Sequence, residues 1–234
     1  MNRRHLNSSG RLQAGVTLIS LMVGLLISLV AVLGLMSIYH NSLQVTTSAT
    51  KSALNDSQLA GLLLRSAAAV QDAGYGISSA AFGTQAVAIS GAALSAGGSA
   101  VTDATATSST IASATLSGTS AAVGTSVNAV VWATLTGANT QCAGFYAPTT
   151  GGLTYLEPVN CTDATQFATL SWTSKPIASP PVANSAHPIT FTFAQQTCSP
   201  YGITNTTASY SLTLATQNSL GVAVSSVQCL MNLH

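Results

Sequence analysis

VTLISLMVGLLISLVAVLGLMSIY, residues 16–39, decides the fold of this chain. It is 24 residues long and holds no charged side chain. As a helix rising 1.5 Å per residue it would extend about 36 Å, enough to cross a bilayer with some tilt. Arg3, Arg4 and Arg11 precede it and no acid does, so the positive-inside rule places residues 1–15 on the cytoplasmic side. A secretory signal peptide fits less well, because its apolar region is shorter and ends at a small-residue cleavage site. Here the nearest such site, Thr47-Ser48-Ala49, lies well beyond the apolar run.

The helical pattern outlasts the apolar run. Leu43, Ala49, Ala53, Leu59, Leu62, Leu63, Ala67 and Val70 continue an apolar stripe at helical spacing, with Lys51, Asp56, Gln58 and Arg65 between them. No proline occurs before Pro148, so one helix from Val16 to about Ala73 is expected. DAGYG, residues 72–76, then supplies Gly74 as a residue able to take the left-handed conformation that closes a helix end.

Composition narrows the function. Charged residues make up 5% of the 234-residue chain, against roughly 25% in ordinary soluble proteins. From Val16 onward Lys51, Arg65 and Lys175 face five carboxylates, a side-chain balance of −2. Nucleic acid is therefore not an expected partner, since phosphate neutralisation by Lys and Arg supplies that affinity. Cys142, Cys161, Cys198 and Cys229 form no CxxC pair, which leaves zinc and thioredoxin-like readings without support. Behind an export signal an even count favours two disulfides. Of the three pairings open to four cysteines, Cys142–Cys161 with Cys198–Cys229 is the expected one, because each closes a local loop. The bland alternative is four reduced thiols.

The leader and helix carry a resemblance. A short basic segment ending in Gly15, followed by Val16, Thr17, Leu18, Ile19, Ser20, Leu21, Met22 and Val23, resembles the signal of type IV prepilins, commonly G-F-T-L-I-E-L-M-V. LLLRSAAAVQDAGYGIS, residues 62–78, is similar to the helix end of PilW-like minor pilins and the related J-type pseudopilins, in which an arginine-bearing leucine-rich turn precedes A-G-Y-G. The two blocks cover about the first third of the chain. The resemblance implies a prepilin peptidase that cuts between Gly15 and Val16 and methylates Val16. It implies Thr17, Leu18, Ile19, Ser20 and Leu21 as part of the assembly signal, and Gly74, Tyr75 and Gly76 as a helix-end motif. Most members carry glutamate where this chain has Ser20. Either that position has drifted in a low-copy subunit, or the subunit sits at a filament end where one neighbour is missing.

Three segments follow: a leader over 1–15, a pilin helix over 16–76 with its membrane or filament-core part at 16–39, and a β-rich domain over 77–234. AVAISG, STIASATLSG and SVNAVVWATL alternate small apolar and hydroxyl residues, as half-buried strands do. ITFTF, residues 189–193, sets Ile189, Phe191 and Phe193 on one face, and YSLTL, residues 210–214, does the same with Tyr210, Leu212 and Leu214. Residues 209–231 read as a hairpin turning near Asn218. Residues 141–161 read as an exposed loop or as a long hairpin, and residues 175–188, with four prolines, as an extended connection. The expected class is α+β: a long N-terminal helix, apolar then amphipathic, packed on an antiparallel sheet in the manner of a pilin.

No catalytic constellation stands out, and neither an enzyme nor a cofactor is expected. His5, His40, His187 and His234 lack a second ligand at helical spacing. No nucleophile elbow, phosphate loop or calcium loop occurs. Glu157 and Asp163 flank Cys161 as the one pair of neighbouring loop carboxylates, a pattern more often solvated surface than acid–base machinery. Asn160-Cys161-Thr162 and Asn205-Thr206-Thr207 match a glycosylation sequon, which carries little weight if the chain is bacterial, as the resemblance implies. The leading expectation is a minor pilin acting in pilus assembly, extracted from the inner membrane to an extracellular filament. Its expected partners are the prepilin peptidase, other minor pilins, the major pilin and a tip adhesin. Gly24 and Gly34 would permit close helix approach. A J-type secretion pseudopilin and a pilus-associated adhesin are the alternatives.

Overall fold

A computed structural model describes residues 17–96, 99–100, 111–178, 188–196, 209–218 and 220–234. The chain divides into two compact units, residues 1–50 and residues 51–234. One helix, α1 (Leu18–Val70), begins in the first and ends in the second. Every described residue of the first unit is exposed to solvent. From Leu18 to Tyr39 that exposed surface is almost wholly apolar, so α1 is long and apolar enough to cross a membrane. Thr17 caps its start: the Ser20 amide donates to Thr17 Oγ1 at 3.4 Å. The helix ends at Val70, three residues short of the expected Ala73, and residues 71–76 continue as hydrogen-bonded turns.

In the second unit the expected antiparallel sheet is present as two sheets, one of them closed on itself. Its strands are β1 (Ala86–Ala96), β2 (Ser99–Ala100), β3 (Ile111–Ala121), β4 (Ser126–Val127), β5 (Ala129–Thr136), β6 (Asn139–Tyr146), β7 (Leu153–Asn160), β8 (Trp172–Ala178), β9 (Thr190–Gln196), β10 (Ser209–Gln217) and β11 (Ala223–Leu230). One sheet runs β2-β1-β3-β8-β7-β6-β5, and β5 returns to pair with β1. Six antiparallel strands thus close a barrel, which removes the sheet edges an open arrangement would leave. A second, four-stranded antiparallel sheet runs β11-β10-β9-β4.

The strand sequences account for both layers. AVVWATLT in β5 is apolar on successive residues because both of its faces are buried. Ala129, Val131 and Ala133 join Val87, Ile89, Ala114, Leu116, Leu156 and Trp172 in one cluster. All six ring strands contribute to that cluster, so it is the filling of the barrel. Val130 and Trp132 point the other way and pack with Phe145, Phe191, Phe193, Leu212, Leu214 and the α1 residues Leu62 and Val70. Period-two alternation distributes β1 in the same way: Val87 and Ile89 inward, Ala86 and Ala88 outward.

Closing so small a ring requires corners, and the register shifts supply them. Between Ser90 and Ala93 the β1–β3 register slips. There Asn128 Oδ1 accepts from the Ala92 amide and its Nδ2 donates to the Ala92 carbonyl, both at 2.8 Å. Opposite Ala143, β7 carries both Glu157 and Pro158, so Pro158 sits in a bulge where its missing donor is not needed. Pro176 was expected in an extended connection and instead lies within β8, opposite Thr154, beside another slip. Of that connection, residues 175–178 belong to β8 and residues 179–187 lie outside the described residues.

The expected hairpin forms: Asn218 turns β10 into β11, its Oδ1 accepting from the amides of Leu220 and Val222 at 3.0 and 2.9 Å. Residues 141–161 are the long hairpin rather than a free loop, β6 pairing with β7. Its ends are tied by the Cys142–Cys161 disulfide, with Cα atoms 5.7 Å apart. Cys229 is also disulfide-bonded, while Cys198 lies outside the described residues. Replacing Cys142 and Cys161 together by serine should lower stability by about 3 kcal/mol, the loop entropy such a crosslink removes from the unfolded chain. Denaturant titration of the full chain in micelles checks this, and an unchanged midpoint would contradict it.

Candidate functional site

Two places gather the residues singled out by sequence: the start of α1 and the turn that follows it. Gly15 and Val16 lie outside the described residues. Thr17 stands just before the helix and acts as its N-cap, so Leu18, Ile19 and Ser20 occupy the first three helical positions. Leu18, Ile19 and Leu21 are more than 60% exposed. That is an apolar surface with no partner among the described residues, and burying it elsewhere is the energetic reason for it to leave water. Ser20 holds the third helical position, where a glutamate would reach back to the cap backbone as the second half of a capping box. The first turn of α1 contains no acid at all.

The turn at residues 71–76 is built by its glycines. Gly74 and Gly76 have φ of +76° and +75°, a conformation that L side chains rarely adopt. Gly74 donates its amide to the Ala133 carbonyl at 2.8 Å, and the Leu135 amide donates to the Tyr75 carbonyl at 2.9 Å. The turn is therefore stitched to the end of β5. A Cβ on Gly74 would meet Ala80 Cβ at 2.9 Å, the Asn232 carbonyl at 3.0 Å and Leu233 Cδ2 at 3.1 Å. A Cβ on Gly76 would meet Leu135 Cβ at 2.9 Å. The chain end docks at the same place: Leu233 is fully buried and the His234 amide donates to the Ala80 carbonyl at 2.9 Å. Between the two glycines Tyr75 remains 64% exposed. Gly-Tyr-Gly thus holds an aromatic side chain outward on a pinned backbone.

The carboxylates divide by role. Asp163 Oδ1 accepts from the amide of Thr165 at 2.9 Å and from its hydroxyl, capping a short 3-10 helix, Ala164–Ala168. Its task is structural. Glu157 instead acts on Tyr155, whose phenol pKa is raised first by burial, then by Glu157 and by Asp72, with Arg65 opposing. Tyr155 stays neutral at physiological pH and packs against Phe145, ring centroids 5.5 Å apart. Among the described residues no group of three or more His, Cys, Asp or Glu side chains could hold a metal ion. Asn160 is exposed at the end of β7, and Asn205 lies outside the described residues.

No protein-family model, no curated protein and no solved structure matches this chain. Two features escaped sequence reasoning. The closure of β5 onto β1 leaves no local signal beyond the doubly buried run of β5. The outward leucines Leu54 and Leu64 lie off the stripe that the sequence marks as core, and they stand out only once the opposite face is seen to be buried.

Proposed function

We propose that this chain is a non-catalytic minor pilin subunit of a type IV pilus, acting in pilus assembly and initiation within a tip complex. The carrying observation is the exposed apolar helix from Leu18 to Tyr39, directly behind a basic leader and the Gly15–Val16 junction. Such a helix needs an apolar surrounding, and two are compatible with it in turn. Stored in the inner membrane it faces lipid, and in a filament it faces equivalent helices, so transfer between them exposes no new apolar surface to water. The β domain then lies on the periplasmic side and afterwards outside the cell. The Cys142–Cys161 disulfide supports that side, because such bonds persist in oxidising compartments.

Ser20 carries a specific consequence in this reading. It brings no carboxylate into an apolar filament, and so needs no neighbouring cation there.

The test is the N-terminal peptide from membranes and sheared filaments, with and without prepilin peptidase. A peptide beginning at methylated Val16, found only with the peptidase and recovered from sheared filaments, is the expected result. Gly15→Lys should abolish both cleavage and recovery. A chain that keeps Met1 in every fraction would reduce the segment to an anchor.

A further inference from the structure

β11 is an outer strand of the four-stranded sheet, and among the described residues it pairs with β10 alone. That pairing runs from Tyr210–Leu230 to Gln217–Ala223, eight residue pairs without a slip. The turn shows which way each backbone group points. The Asn218 amide donates to the Val222 carbonyl at 2.9 Å, so Val222 faces β10. In an antiparallel ladder, residues two apart face the same way. Val224, Ser226 and Gln228 therefore bond to β10, whereas Ala223, Ser225 and Val227 turn their N–H and C=O groups away from the sheet.

Such an edge is a template for another strand, and proteins ordinarily guard it with lysine, proline or a bulge. β11 carries none of the three. No Asp, Glu, Lys or Arg follows Lys175 in the chain. Ala223, Ser225 and Val227 are exposed, and Val224, Ser226 and Gln228 on the other face are only half-buried. Outside α1, the exposed large hydrophobic side chains among the described residues are Tyr75, Val123, Leu220, Val222, Val227 and Met231. The last four sit on β11 or within three residues of its ends. An unguarded edge and a concentration of uncovered apolar side chains thus coincide.

The edge itself states what fits it. Alternating backbone donors and acceptors are matched by another extended backbone, added as one more strand. With no charge on the edge, a charged strand would lose hydration there and gain no counter-charge. Val222 and Val227 lie on opposite faces, so the added strand needs a large apolar side chain opposite each. A second β11 cannot supply both. Setting Val227 against Val227 puts Asn232 opposite Val222, and setting Leu230 against Val222 puts Ser225 opposite Val227. The intervening antiparallel registers with Ala223 or Gly221 against Val227 fail for the same reason.

We infer that the outer edge of β11, over Val222–Val227, receives an uncharged extended strand of a different protein chain, paired antiparallel. The inference goes beyond the pilin reading and does not depend on it.

The test places a benzophenone side chain at Ala223, Ser225 or Val227 of the full chain in the cells that make it. Asn139, exposed at the β5–β6 turn, is the comparison position. The expected products exceed the Asn139 yield several-fold and map by peptide mass to one uncharged stretch of a second protein. The residue reached from Ala223 should lie C-terminal to the one reached from Val227, as an antiparallel strand requires. Ser225→Pro removes an outward donor only, so it should lower the Val227 yield several-fold and leave the melting temperature of the full chain in micelles unchanged. Val224→Pro, which removes a bond to β10, should lower that temperature. If Ser225→Pro melts early, Ser225→Lys takes its place as a guard on the same edge, with the same loss of yield expected. Yields no better than from Asn139 overturn the inference, as do products with lipid, with a helix, or with β11 of a second copy. An undiminished yield from a folded Ser225→Pro or Ser225→Lys chain overturns it as well.

Discussion

Trp172→Ala should lower the unfolding free energy of the second unit by about 3–5 kcal/mol, the range for truncating a large aromatic in a packed interior. Trp172 is fully buried inside the barrel, among Ile89, Leu116, Leu156 and Phe167. Its loss removes the largest side chain of that cluster and leaves a space that small neighbours such as Ala114 and Ala133 cannot fill. The indole Nε1 also donates to the Phe167 carbonyl at 3.0 Å, so truncation leaves a buried acceptor without its donor. The 3-10 helix bearing Phe167 and Ala164 would lose this hydrogen bond, while keeping the one from the Ala164 amide to the Thr84 carbonyl. For a unit of this size the loss corresponds to about 10 °C or more in melting temperature. Trp172→Phe keeps a buried aromatic ring but loses the indole donor and part of the ring volume, and should cost about 1–3 kcal/mol. Thermal melts of the full chain in micelles, followed by far-ultraviolet circular dichroism, separate the two. Equal melting of wild type and Trp172→Ala would mean that the barrel interior is not closed around this residue.

The same residue shows how far the sequence could be read. ITFTF and YSLTL alternate cleanly, and Phe191, Phe193, Leu212 and Leu214 occupy the inward face as their spacing requires. β9 has one buried face, and period-two patterning reports one face well, whereas β10 also buries Ser209 and Ser211 on the face opposite Leu212. β5 is buried on two faces, so it shows a continuous apolar run that fixes a strand but not its neighbours. Closure depends on pairings distant in sequence, such as Ala86 with Trp132 and Ile111 with Ser174. No local pattern encodes these. Pro158 and Pro176 mislead for a related reason: a proline argues against a strand interior unless a bulge receives it, and bulges are properties of the pair. The helix was legible because charge absence over 24 residues is a local signal. Its outward leucines are less so, since Leu54 and Leu64 become notable only when the opposite face is known to be buried.

Gly74→Ala and Gly83→Ala form a matched pair whose difference isolates what the turn after α1 does. Both glycines have positive φ, +76° and +90°. Placing a Cβ in that region costs about 1–2 kcal/mol at either site. At Gly83 nothing lies within 4 Å of the new atom, so the conformational cost is the whole cost. At Gly74 the new atom meets Ala80 Cβ at 2.9 Å and the Asn232 carbonyl at 3.0 Å. Ala80 is fully buried and the Asn232 acceptor is backbone, so neither can give way as a flexible side-chain tip would. Overpacking of this kind adds about 1–3 kcal/mol, for a total of about 2–5 kcal/mol at Gly74. The difference between the two variants, by denaturant titration, should therefore be about 1–3 kcal/mol. Its structural content is the junction of three segments: the end of α1, the end of β5 through the Ala133 carbonyl, and the chain end through Leu233. An equal effect of the two substitutions would mean that the chain end does not dock there. A larger loss at Gly74 would explain why an A-G-Y-G turn follows the helix: only glycine leaves room for Leu233 while the backbone reverses and presents Tyr75 outward.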